Sequence, residues 1–430
     1  MYDVGIINGK VYLGDFIYAN VYIKSGKIYD ITTSYKGCKK EYNANENLVL
    51  PGFIDPHVHF ELNFGKHTSV DDFESGSISA IYGGITTIID FLDPISHINE
   101  LDKNFEKRLN LAKKSYIDFS FHVTLGNFKD NIDELLKKTK KLGTSSIKIF
   151  TTYSSSNRRT NDKIMYKLLQ KSNEYKVPIL IHAENDDMIS ENVLIKDHEN
   201  ARPAISEITE ITKILEMVNM TNGISYIVHT TCGTSIEETR KRFPEIINKN
   251  IYFESCPHYF YFSNDVYKEK HGFLYTMTPP LRSNEEKEKL RKNIDYIFSI
   301  GTDHCSFNKE DKDKKTTKDL PMGIGGVEHS FVLMYSLFGE KIIDKFTTNP
   351  AKFFGLFPQK GSLLPGATAD VVIFSPNQYE KITRSHSKAN YDIYLNMQVK
   401  GKIQKVFKSG ILVLDHTLIR KTKGKYLRRL

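Results

Sequence analysis

Cysteine is scarce in this chain. Four residues in 430, Cys38, Cys232, Cys256 and Cys305, contain no C-x-x-C pair. Thiols this sparse cannot build a disulfide framework, and they fit a reducing compartment. Long apolar runs are also missing: none reaches the roughly 20 residues that cross a bilayer. The N-terminal MYDVGIINGKVYLGDF has no basic segment followed by an apolar stretch. A cytoplasmic protein with no membrane-embedded part is expected. Nor does one sign of charge dominate. Lys+Arg 60 against Asp+Glu 52 leaves +8, spread along the chain, which serves solubility and does not call for nucleic acid. Internal repeats and long low-complexity segments are lacking too. The densest basic run, KTKGKYLRRL at 421–430, reads as a solvated tail, and the charge-rich KEDKDKKTTKD at 309–319 as a surface loop.

A chain of 430 residues can bury one large core and a smaller second one. Its two ends share a pattern. The first fifty residues alternate short Val, Ile and Tyr runs with Asn8-Gly9, Gly14-Asp15 and Ser25-Gly26, which are hairpin signals. From about 360 onward, KGSLLPGATADVVIF and GKIQKVFKSGILVL repeat that texture, with Gly366, Gly401 and Gly410 as expected turns. Between the ends, apolar strands alternate with amphipathic stretches such as MYKLLQKSNEYK and SIEETRKRFPEIINK. Eight strands can be counted: GFIDPHV near 52, then ITTIIDF, DFSFHVT, SIKIFTT, PILIHA, SYIVHT, IYFESC and IFSIGTD near 297. Strand-then-helix units in this number specify an α/β chain: a (β/α)8 TIM-like barrel at 51–359, with a small β-sandwich domain formed by both chain termini, 1–50 and 360–430.

The active site of such a barrel lies at the carboxyl ends of its strands, and those ends carry chemistry here. In DPHVHF, alternation sends His57 and His59 to the same side of the first strand. Strand four carries Lys148, strand five ends in His182, strand six in His229 and strand eight in Asp303. One histidine at a strand end has many structural uses; four, with an aspartate, form a ligand set for zinc or similar divalent ions, and there are enough for two. Lys148 leaves two readings open. It could pair with a carboxylate at the rim. Alternatively its amine, neutral in a desolvated and positive setting, could take up carbon dioxide and become an anionic carbamate that bridges two metals.

The segment PGFIDPHVHFELNFGKHTSVDDFESGSISAIYGGITTIIDF closely resembles the start of the barrel in the dihydropyrimidinase and hydantoinase branch of the cyclic amidohydrolases. The resemblance continues, in that family's order, through IKIFTTY, IHAEN, VHTTCG, ESCPHYFYF, TPPLR, GTDHCSFN and NPAKFFGLFPQKGSLLPGATADVVIF to GKIQKVFKSGILV. It implies that His57, His59 and Asp303 hold the more buried metal, that His182 and His229 hold the second, and that carboxylated Lys148 bridges them. A hydroxide shared by the two ions, most commonly zinc, would attack a cyclic ureide and yield an N-carbamoyl amino acid. Asp303 would take the hydroxide's proton and pass it to the departing ring nitrogen. Tyr153 matches a tyrosine that donates a hydrogen bond to the developing oxyanion. Thr278, ahead of the Pro-Pro of TPPLR, would meet the ring through its main chain. So would Met322, which stands in PMGIGG where the family often has an asparagine. Loops around Leu62 to Phe64 and around 154–159 would shape the pocket for the side group, with Phe64 a contact.

The resemblance also raises rivals. Dihydroorotases put an arginine after the H-x-H, where this chain has Phe60, Glu61 and Leu62. An allantoinase reading is nearer, yet FGKHTSVDDF resembles the hydantoinase loop. Dihydropyrimidinase-related assembly proteins keep the fold but lose ligands, and every ligand position is filled here. The family usually forms tetramers, so the resemblance implies a homotetramer (or dimer) here, and the apolar HSFVLMYSLFG would suit a subunit contact. Of the remaining polar residues, Cys232, Cys256 and Cys305 read as core. His258 and His304 flank the site motifs, with the His304 ring pointing away from the metals in support of the site. Asp90 could either orient a ligand histidine or serve a core hydrogen bond.

Overall fold

All eight apolar runs in the middle of the chain form strands, and they do so because each is buried on both faces. In a computed structural model that describes residues 1–318 and 320–429, Phe64 by its main chain alone, they are Phe53–Val58, Ile85–Phe91, Asp118–Thr124, Ile147–Phe150, Ile179–His182, Ser225–Ile227, Ile251–Ser255 and Ile297–Ile300. Each pairs in parallel with the next in sequence. A parallel bridge from Val58 to His304 joins the last to the first, so the barrel is nearly closed. Parallel strands covered on both sides read as continuous apolar runs rather than alternating ones, and Asp118–Thr124, for example, is buried throughout.

Helices run outside the strands. Asp162–Tyr175 is capped by Asn161, whose side chain accepts from Ile164 N, and it buries Met165, Leu168, Leu169 and Ser172. The stretch at 235–249, expected as one helix, divides instead. Gly233–Arg242 is helical, and Pro244 starts a separate turn of 3-10 helix, because proline cannot donate the next intrahelical hydrogen bond.

Both chain ends enter one nine-stranded, largely antiparallel sheet. Leu48–Pro51 joins them, pairing in parallel with Lys10 and Val11 on one side and antiparallel with Val371 to Phe374 on the other. Its core holds Val21, Ile23, Val49, Val371 and Phe407. Ser25-Gly26 makes its expected hairpin turn. Asn8-Gly9 does not: it is a bulge inside Tyr2–Tyr12, with the register shifting between Ile6 and Gly9. Gly401 likewise lies inside the strand Gln398–Lys408, where the Phe374 ring fills the place of a side chain.

Three surface expectations are corrected. The basic run at 421–430 is no solvated tail, Leu430 lying outside the described residues. Its arm pairs with the start of the third barrel strand, Phe119 N donating to Lys425 O at 3.0 Å and Leu427 N to Phe119 O at 2.7 Å. Arg429 is fully buried, its Nε 2.8 Å from Ser120 Oγ and its Nη2 2.8 Å from Ser146 Oγ. Barrel-floor hydroxyls thus replace water around that guanidinium. The charged loop at 309–319, Asp319 lying outside the described residues, contains the single-turn helix Lys309–Lys312 and buries Lys312 completely. Finally, Ser330–Phe338, the helix of the proposed subunit contact, is covered by this chain itself. Phe331 stacks on Phe53 at 3.9 Å and meets Phe374 edge-on at 5.1 Å, which ties the barrel to the sheet. Among the described residues, no helix is long and apolar enough to cross a membrane.

Candidate functional site

His57 and His59 leave the first strand with both rings turned to Asp303. Their Nε2 atoms lie 3.1 Å and 3.0 Å from Asp303 Oδ1. On its other side, His57 is bound by Glu254, with Nδ1 2.7 Å from Oε1. That contact explains the site's chemistry. A histidine that donates Nδ1–H to a carboxylate presents a bare lone pair at Nε2, so Nε2 and the Asp303 oxygen are two acceptors face to face. Among the described residues, the buried His57 Nε2 has no hydrogen-bond partner. A cation between the three groups resolves the conflict, and their ligand atoms lie within 4.8 Å of one another. A proton is the other cation that satisfies these groups: burial works against charge on His57, but Glu254 and Asp303 outweigh it and raise its pKa to about 9, so a metal ion binds there by displacing that proton. Burial would raise the Asp303 carboxyl, yet His57 and His59 hold it well below the usual range.

A second pair faces the first. His182 Nδ1 lies 3.1 Å from His229 Nε2, and His182 Nε2 is 2.7 Å from Glu184 Oε2. Arg202 clamps Glu184, with Nη2 2.6 Å from Oε2 and Nε 3.1 Å from Oε1. With Glu184 accepting a hydrogen bond from Nε2–H, His182 Nδ1 is a lone pair aimed at the His229 ring, and burial lowers the His182 pKa to about 4. His229 is driven well below its ordinary value by burial, Lys148 and His182. Neutral imidazoles are what a divalent ion requires. His57, His59 and Asp303 thus form a three-ligand set that fits one such ion, and His182 with His229 offers two further donors beside it.

Lys148 lies between these pairs in sequence and beside them in space. It is buried, and its Nζ sits over the rings of Phe91 at 5.6 Å and Phe150 at 5.5 Å. Burial lowers its pKa to about 8, against the pull of Asp303 and Glu254. It makes no ion pair among the described residues, so the rim salt bridge is not the arrangement adopted.

His229, Asp303 and Tyr153 have φ of 39°, 50° and 71°, in a region that residues with a Cβ rarely occupy. Three such residues at one rim mark a site where the backbone is held against its preference. The cavity above them measures about 610 Å³ and is lined by all six rim residues together with Tyr153, Thr278 and Met322. Tyr153 places its hydroxyl 2.6 Å from Thr278 Oγ1, with the Arg202 guanidinium 5.2 Å from its ring centroid. Burial raises the Tyr153 pKa, so the hydroxyl keeps its proton and remains a donor. The Phe64 side chain lies outside the described residues.

Glu254, Glu184 and Arg202 were not singled out from the sequence. Glu184 carried a usable signal, since it follows His182 by two residues. Glu254 carried a weaker one, as a carboxylate in an apolar strand, which is costly unless it has a partner. Of the flanking residues, His304 turns away as expected, with Nε2 3.0 Å from Asp71 Oδ2 and Nδ1 accepting from Gly326 N at 3.1 Å. Asp90 serves the core, where it holds Arg108 Nε at 3.0 Å and Phe60 N at 2.9 Å. His258 is buried, with neither ring nitrogen hydrogen-bonded among the described residues. Cys232, Cys256 and Cys305 are buried, and burial raises all three thiols.

Comparison with known proteins matches residues 48–413 to the Amidohydrolase family. A D-hydantoinase of Geobacillus stearothermophilus is 31% identical over 99% of this chain and 96% of its own. Another, of Ralstonia pickettii, is 29% identical over 99% of each chain. A crystal structure of a D-hydantoinase has a TM-score of 0.92 at 29% identity, covering 100% of this chain and 99% of that one. The dihydropyrimidinase of Brevibacillus agri has a TM-score of 0.90 at 26% identity, over 100% and 99% of the two chains.

Proposed function

This chain belongs to the amidohydrolase family and is a cyclic amidohydrolase, and on that premise we propose that it opens the ring of a dihydropyrimidine or 5-substituted hydantoin to give an N-carbamoyl amino acid. One observation carries the reading: His57, His59, Asp303, His182, His229 and Lys148 converge on the floor of a cavity large enough for such a ring. His57, His59 and Asp303 would hold one divalent ion and His182 with His229 the other, zinc being the ion that suits imidazole and carboxylate. Bound there, the ions would supply hydroxide at neutral pH and polarise a carbonyl. Lys148, carboxylated by carbon dioxide, would complete both ligand sets as an anion. A lowered pKa favours that chemistry, because only the neutral amine reacts.

The chain's own groups have distinct tasks. Glu254 and Glu184 fix the tautomers of His57 and His182. As oxygen adds to the ring carbonyl carbon, Asp303 accepts the proton; as the C–N bond breaks, it returns that proton to the departing nitrogen. The Tyr153 hydroxyl donates to the oxygen on which charge develops, and Thr278 and Met322 offer main-chain contacts to the ring. Residues 1–50 with 360–430 would form the accessory unit and 51–359 the catalytic one. A cytoplasmic homotetramer, or dimer, is part of the proposal, supported by the scarcity of cysteine and by the family resemblance.

The test is hydrolysis of dihydrouracil, hydantoin, allantoin and dihydroorotate by protein of known metal content. Two metals per chain with turnover of dihydrouracil or hydantoin supports the reading. Preference for allantoin or dihydroorotate reassigns the substrate. Absence of turnover after zinc and bicarbonate are supplied leaves the non-catalytic assembly reading.

A further inference from the structure

The loop after the eighth barrel strand buries a lysine that the chemistry above leaves unused. Lys312 ends the turn of helix Lys309–Lys312, and its Nζ donates to two main-chain carbonyls, Thr276 O at 2.7 Å and Gly323 O at 2.6 Å. Among the described residues no carboxylate pairs with it, and burial lowers its pKa to about 7. A buried amine or ammonium served only by carbonyls is a poor device for stability alone, since an apolar side chain of similar length would fill the space without desolvation.

What the two carbonyls belong to suggests another task. Thr276 stands two residues before Thr278, and Gly323 directly follows Met322; Thr278, Met322 and Gly323 all line the cavity. Those segments come from different loops, one after the seventh strand and one after the eighth. A main-chain hydrogen bond from Gly323 N to Thr276 O, 3.1 Å, joins them, and Lys312 spans the same junction from beneath. Gly323 is itself confined: its φ is 150°, and a Cβ there would lie 2.6 Å from Cys305 O. The helix bearing Lys312 is held from outside. Lys309 N donates to Asn390 Oδ1 at 2.8 Å, and Asn390 Nδ2 to Glu310 Oε2 at 2.8 Å.

We propose that Lys312 is a positioning residue that locks together the two main-chain segments reading the substrate ring, so that it governs ring affinity and not the bond-breaking step. This rests on the function proposed above. The test compares Lys312→Met with the parent enzyme on hydantoin and dihydrouracil, together with metal content and amide hydrogen exchange at 274–280 and 320–326. The expected result is KM raised about tenfold, from loss of two strong hydrogen bonds, with kcat and metal content nearly unchanged and faster exchange in both segments. Unchanged KM, or kcat and metal content falling together, overturns the proposal. So does unchanged exchange, a readout that needs no substrate. A parent enzyme that opens no cyclic ureide sinks the proposed function itself, and the exchange result distinguishes that failure from failure of the clasp. Should Lys312→Met not fold, Asn390→Ala unseats the helix from its exposed side and should raise KM in the same pattern to a smaller extent; equal KM in that variant also overturns the proposal.

Discussion

Replacing Glu254 with Gln removes one charge from the centre of the site and almost nothing else. Glu254 Oε1 accepts from His57 Nδ1 at 2.7 Å and from His229 N at 3.1 Å, while Oε2 accepts from Tyr226 OH at 2.8 Å. A glutamine can set its oxygen toward the first two and its NH2 toward the Tyr226 oxygen. Tyr226 then donates to Ser299 Oγ, already 2.5 Å away. Every partner is kept, so the fold should survive. What is lost is the charge that holds the proton on His57 Nδ1 and makes Nε2 a strong base. A hydrogen bond to a charged acceptor contributes roughly 1.5–3 kcal/mol, against roughly 0.5–1.5 for a neutral one. The difference, ~1.5 kcal/mol at the His57 bond, is about tenfold in metal affinity. Loss of ligand basicity carries the expected fall toward a hundredfold. The assay is titration of metal-stripped protein with zinc against a chromophoric chelator, with thermal melts of the stripped protein as control. Zinc affinity equal to the parent, with melting unchanged, would refute the view that Glu254 prepares His57 as a ligand. Glu254→Ala should be worse on both counts, since it strands His57 Nδ1, His229 N and the Tyr226 hydroxyl in a dry interior.

Asp303→Asn should reduce turnover at least about 10³-fold with circular dichroism unchanged, because an amide can neither take nor return the proton; a near-normal rate would remove Asp303 from that role. Arg429→Met should lower stability by about 1–3 kcal/mol, read as the denaturant midpoint, by leaving the Ser120 and Ser146 hydroxyls without their donor; an unchanged midpoint would mean that the arm's main-chain pairing with Phe119 is enough to hold it. His198 is buried with Nε2 2.9 Å from Met277 O, and burial lowers its pKa to about 4. The unfolded chain therefore binds the extra proton between pH 6.5 and 4, and the native state does not. Stability falls as pH drops through that window, by at most about 3 kcal/mol from this group, and His198→Gln should flatten the decline. A decline of unchanged steepness would assign it to other groups.

The six rim residues were legible because their signals are local. Alternation puts His57 and His59 on one side of one strand, Lys148 sits within another, and His182, His229 and Asp303 each close an apolar run that any eight-stranded barrel must orient alike. Strand burial on both faces made those runs easy to find. Local signals also misled. Asn8-Gly9 has the chemistry of a tight turn, and φ at Asn8 is indeed 55°, but the neighbouring strand absorbs it as a bulge. The apolar helix Ser330–Phe338 invited a partner and found one within its own chain.

The sequence by itself determined the barrel, the two-ended sheet and the six candidate residues at the barrel rim, since each follows from residue type and periodicity over a few positions. Only the tertiary structure decided what those residues lean on and where the outlying charges go. His57 meets Glu254 across 197 residues of chain, and Arg429 meets Ser146 across 283. A charged side chain in a basic or acidic run looks solvated until folding brings it a carbonyl, a hydroxyl or an opposite charge. Whether burial is tolerable depends on that distant partner, and no short stretch of sequence contains it.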